Sequence, residues 1–114
     1  MPKALNRAIK IARGEYLARQ DADDVSMSTR LEKQVAFLNS HPEYALVGSW
    51  AQIFTLDGKS NRQLRHPATN GQLQVQLIIN NQFVHSSVML RGECLKVIGL
   101  YSEDPEYFPP EDYE

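Results

Sequence analysis

The sequence predicts an α/β domain in which short strands alternate with amphipathic helices. Three observations carry that expectation. Leu5, Ala8, Ile9 and Ala12 recur at helical spacing on a stretch that stops at Gly14. Leu31, Val35 and Leu38 repeat the pattern after Thr29 and run to about Ser40, where His41-Pro42 ends it. Around these helices lie stretches that suit strands, Glu15 to Gln20, Tyr44 to Phe54 and Phe83 to Arg91.

Taken in order, the first helix presents a narrow apolar stripe opposite Lys3, Arg7, Lys10 and Arg13. Glu15 to Gln20 reads as a short buried strand whose last residues, Arg19 and Gln20, are polar. Thr29-Arg30-Leu31-Glu32 matches a capping box, in which a hydroxyl and a carboxylate each satisfy a backbone N–H at the start of the second helix. The free N–H groups of that helix start are a place for an anionic ligand to rest. Tyr44 to Phe54 is expected to be one long strand, with Asp57-Gly58 turning it into a hairpin. Trp50 and Phe54 share one face of it by even spacing and are expected in the core. Lys59, Arg62, Arg65 and His66 lie in a segment, Lys59 to Pro67, left without an assigned element; such charges are more often plain solvated loop residues than ligands of a diphosphate. Thr69 or Asn70 caps a third helix containing Leu73, Leu77 and Ile78, which frays at Asn80-Asn81. Phe83 to Arg91 is a strand entered through a polar corner, Glu93 to Val97 allow one or two helical turns, and Gly99 stops them.

Length and composition narrow the classes. The chain has 114 residues, 42% hydrophobic, and a formal net charge of -2, which describes a domain with one modest core. Near-neutral charge gives no electrostatic footprint for nucleic acid. The single Cys94 excludes an internal disulfide framework and a multi-cysteine zinc site, and the three histidines lack ligand spacing. The sequence shows neither a signal peptide nor an apolar run of membrane length, so a cytoplasmic location, with access to the inner face of the membrane, is expected. The first helix begins almost at once with no strand before it, as in a piece of a larger fold.

The chemistry concentrates in Asp21-Ala22-Asp23-Asp24, three carboxylates within four residues at the end of a predicted strand. Close carboxylates repel unless water, basic groups or a cation screens them. Hard oxygen ligands suit Mg²⁺ or Mn²⁺, which in turn hold phosphate oxygens. Loops leaving the carboxyl ends of strands are also where open α/β sheets place ligands. The bare string more often marks a solvated acidic loop. An EF-hand is excluded, because Val25 and Ser26 stand where that loop needs an oxygen ligand and a glycine. The string also resembles the start of a haloacid-dehalogenase-type phosphatase, with Asp21 as nucleophile and Asp23 as general acid/base, and by itself does not choose.

Its flanks do. Ala4-Leu5-Asn6, Ala12-Arg13-Gly14-Glu15-Tyr16-Leu17-Ala18, the acidic string and Arg30-Leu31-Glu32-Lys33-Gln34 together resemble the middle of family-2 glycosyltransferases with the GT-A fold. Val47-Gly48-Ser49, His85 through Arg91, Gly99-Leu100-Tyr101 and Glu111-Asp112-Tyr113 continue the match in the expected order. The resemblance implies one partial GT-A domain over residues 1–114, a mixed sheet flanked by helices, truncated at both ends. It implies transfer of a sugar from a nucleotide-diphosphate donor to a saccharide or lipid-linked acceptor, with inversion and a divalent metal. Asp21 would lie nearest the nucleotide, and Asp23 or Asp24 would hold Mg²⁺ or Mn²⁺. His85 either lines the acceptor side with Ser86 and Ser87 or is a strand-end histidine satisfied by backbone. Glu111-Asp112 matches the family's catalytic pair, with Asp112 as base and Glu103-Asp104 as a weaker substitute.

Several departures qualify the match. The family's N-terminal strand-helix-strand unit, which holds most of the base pocket, is not in this sequence, and Pro109-Pro110 stands where the family has small residues. The chain alone is therefore expected to lack turnover and to self-associate through an exposed apolar surface. The rival readings are the phosphatase, which needs a downstream Lys and a Ser or Thr at strand ends, and a non-catalytic binding domain indifferent to metal.

Overall fold

The computed structural model describes residues 2–55, 62–79 and 81–104. Pro2–Ile11 forms α1, opened by a proline whose fixed φ suits a first helical position. Leu5 and Ile9 are half-buried, but the residue most enclosed is polar: Asn6 is 2% exposed. Its amide answers for that burial, since Nδ2 donates to the Tyr101 carbonyl (2.9 Å) and to Glu103 Oε1 (2.8 Å) while Oδ1 accepts from the Tyr101 N–H (3.0 Å). One side chain thus ties the first helix to the segment following Gly99.

Three short strands build the main sheet in the order β1-β5-β2, where β1 is Tyr16–Ala18, β2 Leu46–Val47 and β5 Met89–Arg91. β5 runs antiparallel to both neighbours, so that Leu90 faces Leu17 on one side and Leu46 on the other. Further backbone bonds lengthen the ladders: Arg19 N–H to Val88 O (2.8 Å), Arg91 N–H to Ala45 O (2.9 Å) and Gly92 N–H to Glu15 O (2.8 Å). At Gly92 the chains approach so closely that a Cβ would lie 3.3 Å from the carbonyl oxygens of Gly14 and Glu15.

Arg30–Ser40 forms α2, which lies on this sheet. Its inward face reads Arg30, Gln34, Leu38 at i, i+4, i+8, polar at the start and fully buried at Leu38 (0% exposed). Val88 and Met89 complete the buried apolar core among the described residues. Gln34 Nε2 donates to the Ser87 carbonyl at 2.7 Å and approaches that of Val47 at 3.5 Å. Arg91 closes the other end of the helix, donating to the carbonyls of Leu38 (2.5 Å), His41 (3.3 Å) and Tyr44 (3.0 Å). A cation there complements the negative end of the helix dipole.

Ala51–Ile53 (β3) and Arg62–Leu64 (β4) pair antiparallel as a separate ribbon. The hairpin reading holds, while its Asp57-Gly58 turn lies outside the described residues. Asn70–Leu77 forms α3, capped as expected by the Thr69 hydroxyl, which accepts from the Gln72 N–H at 3.4 Å. His85–Ser87 makes a 3-10 turn before β5, Gly92–Cys94 a second one, and Leu95–Ile98 the short helix α4. Gly99 ends α4 with φ 86°, a conformation that side chains disfavour.

The α/β class and the helices agree with the sequence; four details differ. Tyr44 to Phe54 is two strands in two sheets, separated at Gly48-Ser49-Trp50, where the Ser87 hydroxyl takes up the Ser49 backbone in place of a strand partner: it accepts from the Ser49 N–H (3.0 Å) and lies 3.1 Å from the Ser49 carbonyl. The Phe83 ring also packs on Gly48, where a Cβ would stand 3.0 Å from Cδ1. Phe83 to Ser87 is not strand, since the 3-10 turn satisfies its backbone locally, with Ser87 N–H donating to Val84 O at 2.8 Å. The capping box does not form: Thr29 sits at φ −98°, ψ 3°, outside the extended region that aims a cap hydroxyl at the first N–H groups, and makes no side-chain cap bond. Trp50 (55% exposed) and Phe54 (59%), which flank β3, are surface residues and not core. Trp50 is held by its indole N–H donating to His66 O (2.9 Å) and by Arg65 over its ring at 5.1 Å. Other large apolar side chains also stand out, among them Val97, Ile78, Ile79 and Ile11.

Candidate active site

The acidic loop leaves β1 at Arg19 and turns tightly. The Asp24 N–H donates to Asp21 O at 3.3 Å, and Gln20 Nε2 spans the turn, donating to Asp21 O (3.1 Å) and Asp24 O (2.9 Å). The Ser26 hydroxyl in turn donates to Gln20 Oε1. The loop is therefore shaped by its own polar side chains as well as by the sheet behind it.

The three carboxylates divide in role. Asp21 is half-buried and ion-paired with Arg19 Nη2 at 3.1 Å. Asp23 and Asp24 are exposed, and their carboxylates have no ion pair or hydrogen bond among the described residues. Screening Asp21 with Arg19 removes part of the repulsion that three neighbouring carboxylates create. The Arg19 guanidinium also meets the His85 ring. Two segments far apart in sequence, Asp21 and His85, thus converge on one arginine. Arg30 Nη1 backs the same place, donating to the carbonyls of Arg19 (3.1 Å) and Ser86 (2.9 Å).

Sequence reasoning named Asp21, Asp23, Asp24 and His85, and missed Arg19, Gln20 and Arg30. The available signal was an arginine two residues before an aspartate at the end of a strand, a spacing that lets the two side chains project to the same side. Glu111 and Asp112 lie outside the described residues. Glu103, the weaker substitute, accepts the Asn6 amide at 2.8 Å.

For a divalent cation, two exposed carboxylates on one loop are a fitting donor set. Mg²⁺ in particular is commonly held by one or two carboxylates, with water and substrate phosphates completing its shell. No three His, Cys, Asp or Glu side chains converge as a metal cluster among the described residues, so a dedicated all-protein cage is not what these residues offer. Two hollows lie elsewhere: one of about 570 Å³ between α1, β1 and β5, lined by Ile9, Leu17 and Leu95, and one of about 430 Å³ beside α2 and α3, lined by Phe37, Tyr44 and Trp50. The acidic loop is an open surface feature that lines neither.

Open α/β sheets place ligands beyond the carboxyl ends of their strands, and the acidic loop follows that end of β1. Comparison with known proteins makes this specific. Residues 1–97 match the family described as Glycosyl transferase family 2, and the chain belongs to that family. It is 33% identical over 98 residues to the putative glycosyltransferase EpsE of Bacillus subtilis (strain 168), covering 86% of this chain and 34% of that protein. It is 33% identical over 99 residues to the amylovoran biosynthesis glycosyltransferase AmsE of Erwinia amylovora, covering 87% and 37%. The O-antigen biosynthesis glycosyltransferase WbnJ of Escherichia coli shares 29% identity over 92 residues, covering 81% and 35%. The chain spans about a third of the length of the curated relatives it matches. Membership of this family sets the phosphatase reading of Asp21 aside. No helix among the described residues is long and apolar enough to cross a membrane.

Proposed function

We propose that the chain carries the donor-side part of a glycosyltransferase that moves a sugar from a nucleotide-diphosphate sugar to a saccharide acceptor. The observation that carries this reading is the division of labour in the acidic loop: Asp21 is engaged by Arg19, while Asp23 and Asp24 stand exposed beside it and unpaired among the described residues. Asp21 contacts the nucleotide side, and Asp23 or Asp24 holds Mg²⁺ or Mn²⁺. Such a cation supplies Lewis-acid stabilisation for the charge that builds on a leaving diphosphate.

The reaction is a single displacement with inversion. An acceptor hydroxyl oxygen forms a bond to the anomeric carbon as the bond from that carbon to the diphosphate oxygen breaks, and the electron pair leaves with the diphosphate. The acceptor proton passes to the Asp112 carboxylate, with Glu111 beside it. His85 and the Ser86-Ser87 corner line the acceptor side. The names of two relatives, which concern amylovoran and O-antigen biosynthesis, support a saccharide acceptor, and the family resemblance adds a lipid-linked one as the other candidate. The chain also self-associates through the apolar side chains it exposes.

Calorimetric titration of the chain with uridine and guanosine diphosphates tests the donor site. Binding that needs Mn²⁺ and weakens about tenfold or more in Asp23→Asn or Asp24→Asn is expected, a loss of roughly 1.4 kcal/mol. Affinity indifferent to Mn²⁺ and to both substitutions would overturn the reading.

A further inference from the structure

The first turn of a helix is its positive end and favours acidic side chains. α2 nevertheless begins with Arg30, an unfavourable placement that calls for a compensating contact. The contact is specific. A single guanidinium nitrogen, Nη1, donates to the Arg19 carbonyl at 3.1 Å and to the Ser86 carbonyl at 2.9 Å. These carbonyls belong to the end of β1 and to the 3-10 turn before β5, segments separated by most of the chain. Each borders a group used by the proposed donor site: the Arg19 side chain meets both Asp21 and His85, and Ser86 follows His85 directly.

We propose that Arg30 is a positioning residue, which locks the acidic loop to the His85 corner so that donor and acceptor sides keep a fixed separation. The proposal rests on the donor-site reading above. Arg30 acts through Arg19 and the backbone, touching no reacting atom. Docking of α2 does not depend on it, because Gln34 one turn later holds the Ser87 carbonyl at 2.7 Å and Leu38 fills the core. Removing Arg30 therefore releases the loop from the corner and leaves the helix in place. The cation also matters: charged donors make stronger hydrogen bonds than neutral ones, and a guanidinium reaches two diverging carbonyls better than an amide.

Amide NMR of the chain as wild type, Arg30→Lys and Arg30→Gln provides the test. Without metal, backbone relaxation is expected to show Asp21 to Asp24 markedly less ordered in R30Q, close to wild type in R30K, and Gln34 and Leu38 unchanged in both. With substoichiometric Mn²⁺, broadening at Ser86 and Ser87 relative to Asp23 and Asp24 falls about threefold or more in R30Q and recovers to within about twofold in R30K, since the distance dependence of that broadening reads the fixed separation. Unchanged loop order and an unchanged broadening ratio in R30Q would overturn the proposal. So would an R30Q chain in which α2 melts together with the loop, because Arg30 would then be a residue of the fold alone. Absence of site-selective broadening in the wild type would instead remove the metal reading, with the metal-free order comparison still deciding the role of Arg30.

Discussion

Replacing Arg91 by methionine is expected to be the most damaging single polar-to-apolar change on the main sheet. Met keeps most of the stem volume, so the effect isolates the guanidinium. That group donates to the carbonyls of Leu38, His41 and Tyr44 at 2.5, 3.3 and 3.0 Å, approaches the Tyr16 hydroxyl at 3.3 Å and stands 5.6 Å from the Tyr16 ring centroid. A hydrogen bond to a charged group contributes about 1.5–3 kcal/mol, and a cation at a helix C-terminus about 0.3–1 kcal/mol more. Simple addition overshoots, because the bonds share one donor group and water replaces part of what is lost. A loss of about 3 kcal/mol is the working figure. At about 4–8 °C per kcal/mol for a small domain, the melting midpoint should drop by roughly 12–24 °C. Arg91→Lys should recover less than about half of that, since one ammonium does not serve three separated carbonyls and an aromatic face. The assay is urea unfolding followed by far-ultraviolet circular dichroism, with the exposed Arg62→Met as control. A loss below about 0.5 kcal/mol in R91M, equal to the control, would refute the idea that this arginine fastens α2 to β5.

Two further outcomes follow from the packing. Asn6→Ala should lower stability by about 2 kcal/mol and accelerate hydrogen exchange at the Tyr101 amide, which loses its acceptor, while the exchange of β5 amides changes only through global stability. An unaltered Tyr101 amide would mean that the tie between α1 and the post-Gly99 segment is not formed in solution. Self-association should appear in sedimentation as a mass that rises with concentration and falls when Ile78 and Val97 are both changed to Ser; a concentration-independent monomer mass would count against it.

The helices were legible from apolar spacing and end signals, and α1 and α3 begin and end near their expected punctuation, but the stripes gave the buried faces only in part: Leu38 is buried and Leu5, Ile9 and Val35 half-buried, whereas Leu31, Ala8 and Ala12 are exposed and the polar Asn6 and Gln34 lie inside. Strand extents were not legible, because what ends β2 is a contact from a distant residue, the Ser87 hydroxyl on Ser49. Alternation led to the expectation of a buried Trp50 and Phe54, but even spacing carries no information on whether anything covers a face, and both are exposed. The polar anchors Asn6, Gln34, Arg30 and Arg91 were illegible for the same reason. Each is buried or half-buried by bonds to backbone far along the chain, which no local pattern encodes. In the candidate site, the acidic string announced itself by charge density alone. Its connection to His85 through Arg19 required the fold, because the segments meet only when β1 and β5 pair. Glu111 and Asp112 rest on the family resemblance and lie outside the described residues.

Amide NMR of the wild-type chain, titrated with substoichiometric Mn²⁺ with and without uridine diphosphate and repeated on Asp23→Asn and Asp24→Asn, tests the central claim most directly. The account predicts broadening centred on Asp21 to Asp24, extended to His85 and to Glu111 and Asp112 when the nucleotide is present, and weakened in the variants. Broadening scattered over the surface carboxylates, insensitive to both substitutions, would contradict a donor site built on this loop.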